Sequence, residues 1–175
     1  DKAVATGADA RIPLLSEVLD LVGDDIMLNI EIKDIGDTKL TADKTCELIE
    51  EYGIEDTCYV TSFSYSALRR VKQNDSHIRT GLISSTAAVT AFTRLRYIDA
   101  LSLNYLFVNR TVVNTAHQNG KRVFVWTVDR PAYMRQCESI GVDNIITNRP
   151  ETAAEIAYSD STGETVLSIL KIIFG

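Results

Sequence analysis

Little in this chain points to a familiar chemistry by itself. Its three cysteines, Cys46, Cys58 and Cys137, are scattered over 175 residues with no C-x-x-C pair. An odd, dispersed set excludes a disulfide framework and a structural zinc site, and the three read as small buried side chains. There are two histidines, His77 and His117, and neither stands beside a cysteine, so nucleophilic dyads find no support. Basic runs are missing too. With a net charge of −6 and a pI near 4.9, a nucleic-acid partner is not expected. The longest apolar tail, Val166 to Phe174, is broken by Ser168 and Lys171 and falls far short of the ~20 residues of a membrane span. Neither a leader peptide nor a span is expected within these residues. The chain opens Asp1-Lys2-Ala3 without an initiator Met, as a processed chain or an excised piece does.

What is present is an ordinary globular composition, 45% hydrophobic and 24% charged, in a length that suits one domain covering residues 1–175. Residues 1 to 11 read as a loop. Pro13 opens a first helix, which Gly23 closes, with apolar residues at helical spacing through Val22. After it, apolar runs starting near 26, 57, 78, 98, 122 and 142 alternate with helical patterns. Helices are expected from about Thr41 to Tyr52, from Ser64 to Gln73, within 86 to 96, from Asn109 to Gly120, from Pro131 to Gly141, and onward from Pro150. The mean period of about 23 residues means βα units and a parallel sheet. Such a sheet is either doubly wound or rolled into a barrel. A complete (β/α)8 barrel takes about 250 residues, so about six units here would be a barrel lacking two strands. A doubly wound sheet of six strands would be complete, but no Gly-rich turn follows any strand.

Asn29-Ile30-Glu31-Ile32-Lys33 ends the first of these runs. Alternation puts Asn29, Glu31 and Lys33 on one face, and so short and apolar a strand is expected to be central. Glu31 and Lys33 could form a satisfied ion pair or a solvated polar face. They could equally sit at the C-terminal end of a parallel strand, where α/β folds bind ligands. A carboxylate there suits Mg2+ or Ca2+, and the lysine suits a phosphate. Trp126, the sole tryptophan, is either core packing or a wall for an apolar or glycerol-like group. Ser62-Phe63 and Thr147-Asn148 end their strands at the same rim, where helix N-termini favour an anion. His77 precedes a strand and His117 ends a helix, so both belong to the opposite end.

These segments resemble the glycerophosphodiester phosphodiesterase family. Ile12-Pro13-Leu14-Leu15-Ser16-Glu17-Val18-Leu19 is similar to its "IPTLEEVL" helix, and Asn29 to Lys33 to its "NIEIK" strand. Ser62-Phe63 matches "SF", the stretch from Gly120 through Trp126-Thr127-Val128-Asp129 resembles "G..V..WTVN", and Gly141 to Asn148 resembles "GVDGIITD". The motifs arrive in family order across about residues 12 to 150. The resemblance implies a TIM-type (β/α) barrel, incomplete here with its first two strands missing, that hydrolyses glycerophosphodiesters to an alcohol and glycerol 3-phosphate. It implies a divalent cation held by Glu31, with Lys33, Phe63 and Trp126 lining the substrate. Asn148 stands where the family usually has Asp and Asn144 where it has Gly, so local polar contacts differ. The family's "HRG" strand, E-x-D pair and "HD" histidine are absent from these residues. Without that acid/base pair no catalytic residue is assigned, and the chain alone is expected to be inactive. Two exposed sheet edges are expected to leave the chain self-associating or only marginally stable. The alternative is a non-catalytic, barrel-derived binding module. The compartment, cytoplasm or membrane by way of an upstream segment, stays open.

Overall fold

The computed structural model describes residues 11–22, 26–86, 89–159 and 170–174. The opening loop up to residue 10 and the Gly23 helix stop lie outside them. Strands and helices alternate: α1 (Leu15–Val22), β1 (Leu28–Ile32), α2 (Thr38–Tyr52), β2 (Cys58–Ser62), α3 (Tyr65–Asn74), β3 (Arg79–Ser84) and α4 (Val89–Phe92). There follow β4 (Ala100–Asn104), α5 (Arg110–Gln118), β5 (Arg122–Trp126), α6 (Pro131–Ile140), β6 (Asn144–Ile145), α7 (Pro150–Ser159) and β7 (Leu170–Phe174).

Local chemistry sets these limits. The Asp37 carboxylate accepts from the Leu40 amide at 3.0 Å, which starts α2 three residues earlier than its apolar periodicity suggests. Gly53 ends that helix at φ +64 and Gly141 ends α6 at φ +86, conformations that a side chain would strain. Asn109 caps α5 by accepting from the Val112 amide at 3.0 Å. Ser64 occupies the cap position of α3 without a side-chain cap bond. Instead the Ser62 hydroxyl accepts from the Ser64 amide at 3.0 Å.

All strand pairs are parallel, in the order β6-β5-β4-β3-β2-β1-β7. From β1 to β6 every step goes the same way. Right-handed crossovers that never reverse put all their helices on one face, whereas a doubly wound sheet must turn back once. The result is a curled half-barrel. Its outer face meets the helices through two apolar clusters. Leu28, Ile30, Ile32, Cys58 and Val60 pack on Ala42, Ile49, Ala67 and Val71, and Leu82, Leu101, Leu103, Val123 and Val125 pack on Val113, Ala116, Met134 and Cys137. Each fully buried Leu or Ile contributes roughly 1.5–3 kcal/mol.

β1 is internal, as expected, but β7 does what no apolar period announced. It pairs with β1 from Leu28↔Leu170 to Ile32↔Phe174 and so covers one of the two edges expected to stand open. The sheet ends instead at β7 and at β6. The latter keeps two ladder residues where a run from Val142 to Thr147 was expected, because Val142 is spent closing α6 through its amide to the Cys137 carbonyl.

Candidate functional site

The concave face is built by alternate residues of each strand. Near its N-terminal end Tyr59 and Phe124 meet edge to face at 5.0 Å, with the Arg79 guanidinium 4.7 Å over the tyrosine ring. The same inner face also carries polar side chains. Asn29, Glu31, Thr61, Ser102 and Asn144 are all buried. The Thr61 hydroxyl donates to Asn29 Oδ1 at 2.8 Å, tying β1 to β2 just below Glu31. Space is tight at this level: a Cβ on Gly81 would stand 2.9 Å from Thr61 Cγ2. Polar side chains so placed cost stability unless partnered.

The four residues singled out above come together as two pairs. Glu31 is 2% exposed, and its Oε1 lies 2.9 Å from Lys33 Nζ, just past the end of β1. Phe63, after β2, meets Trp126, at the end of β5, with ring centroids 6.1 Å apart and planes at 74°. In a flat sheet these strands would stand roughly 14 Å apart, three steps of about 4.8 Å, so the contact depends on the curl. Both pairs lie at the C-terminal mouth of the sheet.

Asp129 is a residue whose role the sequence motifs do not disclose. In the loop after β5, its carboxylate accepts from Thr147 Oγ1 at 3.0 Å, the Asn148 amide at 2.8 Å and Asn148 Nδ2 at 2.9 Å. The Asn148 side chain above all holds this carboxyl below its ordinary value. Two rim loops are thereby fastened beside Trp126. The family stretches quoted above have Asn and Asp at these two places, and here they are exchanged. An Asp between a strand and a Pro-started helix was the available signal.

A sequence pattern for the Glycerophosphoryl diester phosphodiesterase family matches residues 1–152. The chain belongs to that family. A glycerophosphodiester phosphodiesterase of Caldanaerobacter subterraneus is 37% identical over 149 residues, which cover 83% of this chain and 61% of the relative. A phosphodiesterase of Oleispira antarctica, solved with the product sn-glycerol-3-phosphate, superposes with a TM-score of 0.73 at 22% identity, covering 85% of this chain and 62% of that one. A glycerophosphodiester phosphodiesterase of Parabacteroides distasonis gives a TM-score of 0.70 at 21% identity, covering 77% and 58%. The chain thus spans about three fifths of the length of the curated relatives it matches, 60 to 64% in the first three.

The two histidines are not at the mouth. His77 precedes β3, with Nδ1 3.0 Å from Asp75. His117, at the end of α5, lies 2.8 Å from Asp143, which also receives Arg122 at 2.6 Å. Both serve the N-terminal end of the sheet. The cysteines are buried thiols, with burial pushing Cys58 up to about 12 and Cys137 to about 11. Among the described residues no group of three His, Cys, Asp or Glu could hold a metal ion. Glu31 by itself therefore does not make a divalent-cation site. Nor is any helix among the described residues long and apolar enough to cross a membrane.

Proposed function

We propose that these residues form the substrate-facing half of a glycerophosphodiester phosphodiesterase site, acting in phospholipid and glycerol metabolism. The observation that carries this is the buried Glu31 beside Lys33 at the mouth, opposite an aromatic pair, in a chain of this family. Glu31 is one carboxylate of a Mg2+ or Ca2+ site whose other ligands lie outside the described residues. Lys33 supplies the positive charge that meets the phosphate, and Phe63 and Trp126 wall the glycerol. The chain holds no histidine near this mouth, so proton transfer to the leaving alcohol needs groups from elsewhere.

The 175 residues alone are accordingly expected to bind a glycerophosphodiester and not to hydrolyse it. Calorimetric titration with glycerophosphocholine tests the first, and an assay with Mg2+ or Ca2+ tests the second. Binding that weakens at least tenfold in Lys33→Ala, without turnover, is the expected result. Robust turnover by the isolated chain would refute the division of labour. Absence of binding by the wild type would refute the half-site itself.

A non-catalytic binding module is the second reading, favoured because no group of three His, Cys, Asp or Glu among the described residues could hold a metal ion. Turnover by a version of the chain extended with the family's absent motifs, lost again in Glu31→Gln, would exclude it.

A further inference from the structure

The family pattern ends at residue 152, and β7 lies beyond it. It nevertheless pairs in parallel with the whole of β1, the strand that carries Glu31. Each step from β1 to β6 moves one strand in the same direction around the sheet. A seventh strand continuing that walk would bond to β6. β7 is bonded instead to β1, at the other end of the ladder.

Helix α1 defines that place. Each later helix lies in the chain between one strand and the next, and α1 leads into β1 in the same way. Leu19 of α1 is buried in the apolar cluster that holds β1 and β2. Tyr52 of α2 donates to the Ser16 carbonyl at 3.3 Å and to Asp20 Oδ1 at 2.7 Å, fixing α1 beside α2. Extending the regular step back by one unit sets the strand that would feed α1 on the edge of β1 away from β2. β7 holds that seat from the opposite end of the sequence.

The fit is specific in register. Leu170, Ile172 and Phe174 stand level with Leu28, Ile30 and Ile32, the β1 residues that pack on the helices. A slip of one residue would set apolar alternates level with Asn29 and Glu31, so the pattern selects the register observed.

We propose that β7 is an exchangeable plug of the β1 edge. Residues 170–174 occupy the seat of a strand preceding α1, and a parallel strand supplied by another segment of polypeptide must expel them to line the mouth beside Glu31. The partner that fits is an extended stretch with apolar residues at alternate positions, level with Leu28, Ile30 and Ile32. Backbone hydrogen bonds give such strand addition its affinity, and the alternate side chains give its specificity. The inference concerns this edge alone and does not depend on the phosphodiester reading.

The test compares the full chain with a variant carrying both Ile172→Pro and Ile173→Pro. Ladder amides alternate between the two sides of a strand, so consecutive prolines remove one that faces β1. In the wild type, hydrogen exchange at Leu28–Ile32 should be as slow as at Ala100–Asn104, inside the sheet. In the variant Leu28–Ile32 should exchange roughly tenfold faster or more, while Ala100–Asn104 keeps its rate. A fluorescent peptide copying residues 166–174 should bind the variant roughly tenfold tighter or more, because the wild type's own tethered strand competes with it. Equal exchange at Leu28–Ile32 in the two proteins overturns the inference. So does a peptide that binds both equally or neither, since the edge would then not be a seat for exchange. If the prolines quicken exchange in both strands, the wild-type rates decide: fast exchange at Leu28–Ile32 overturns the plug and slow exchange supports it. A wild-type dimer on a sizing column that the prolines dissociate would also overturn it, because β7 would then be traded between copies.

Discussion

Glu31 is a buried charge at the mouth of the sheet, with the Lys33 ammonium 2.9 Å from one of its oxygens. Removing one member of such a pair costs more than the pair contributes, because the survivor stays desolvated. Lys33→Met should therefore destabilise the chain by about 2–3 kcal/mol, toward the low end because the lysine is a third exposed. Adding Glu31→Gln should recover most of the loss. Denaturant midpoints of the wild type and the two variants check this, and equal midpoints for wild type and Lys33→Met would show that the lysine contributes nothing. This pair was readable from the sequence because both residues share one face of one short strand. The contact between Phe63 and Trp126 was not, since it joins strands far apart in the chain through a curvature that no local pattern encodes.

Between elements, side-chain clamps set the geometry. Asp43 on α2 accepts from Arg70 Nε at 2.6 Å and Nη2 at 3.0 Å, and from Asn74 at 2.7 Å, both residues being on α3. The Arg70 bond first, then Asn74, lowers its carboxyl from 3.8 to about 2. A lowered carboxyl contributes stability that is complete above its unfolded value and fades as pH falls toward the folded one. The midpoint difference between wild type and Asp43→Asn should hold above about pH 4 and shrink between there and pH 2. A difference that stays constant through this range would show that the clamp is not ionic. At the rim, Asp129→Asn should cost about 1 kcal/mol, and the added Asn148→Asp should restore it. Thermal midpoints decide, and a double variant no better than the single would mean that the exchange is not reciprocal. The turn carrying Leu106 and Phe107 was hidden in the sequence. Its residues continue the apolar character of β4, and only the Asn104 side chain bends them away.

For the whole molecule, a parallel sheet of βα units was legible because six apolar runs alternate with helical patterns at one period. The choice of a barrel over a doubly wound sheet needed the order of the strands, which the spacing alone does not contain. Where β7 lies was equally beyond reach, since pairing with the first strand is a long-range event. Among the described residues the sheet ends at β6 and β7, and since strand edges pair readily with other chains we expect this one to self-associate through them. Sedimentation at rising concentration checks this, and a monomer at every concentration would contradict it.

Because Trp126 is the only indole in the chain and rests half-buried against Phe63, the long-wavelength emission of the entire protein originates at the mouth. A spectrum taken in bulk is thus already a local optical signal. Any shift in its maximum reads the opening or filling of that rim with no label attached.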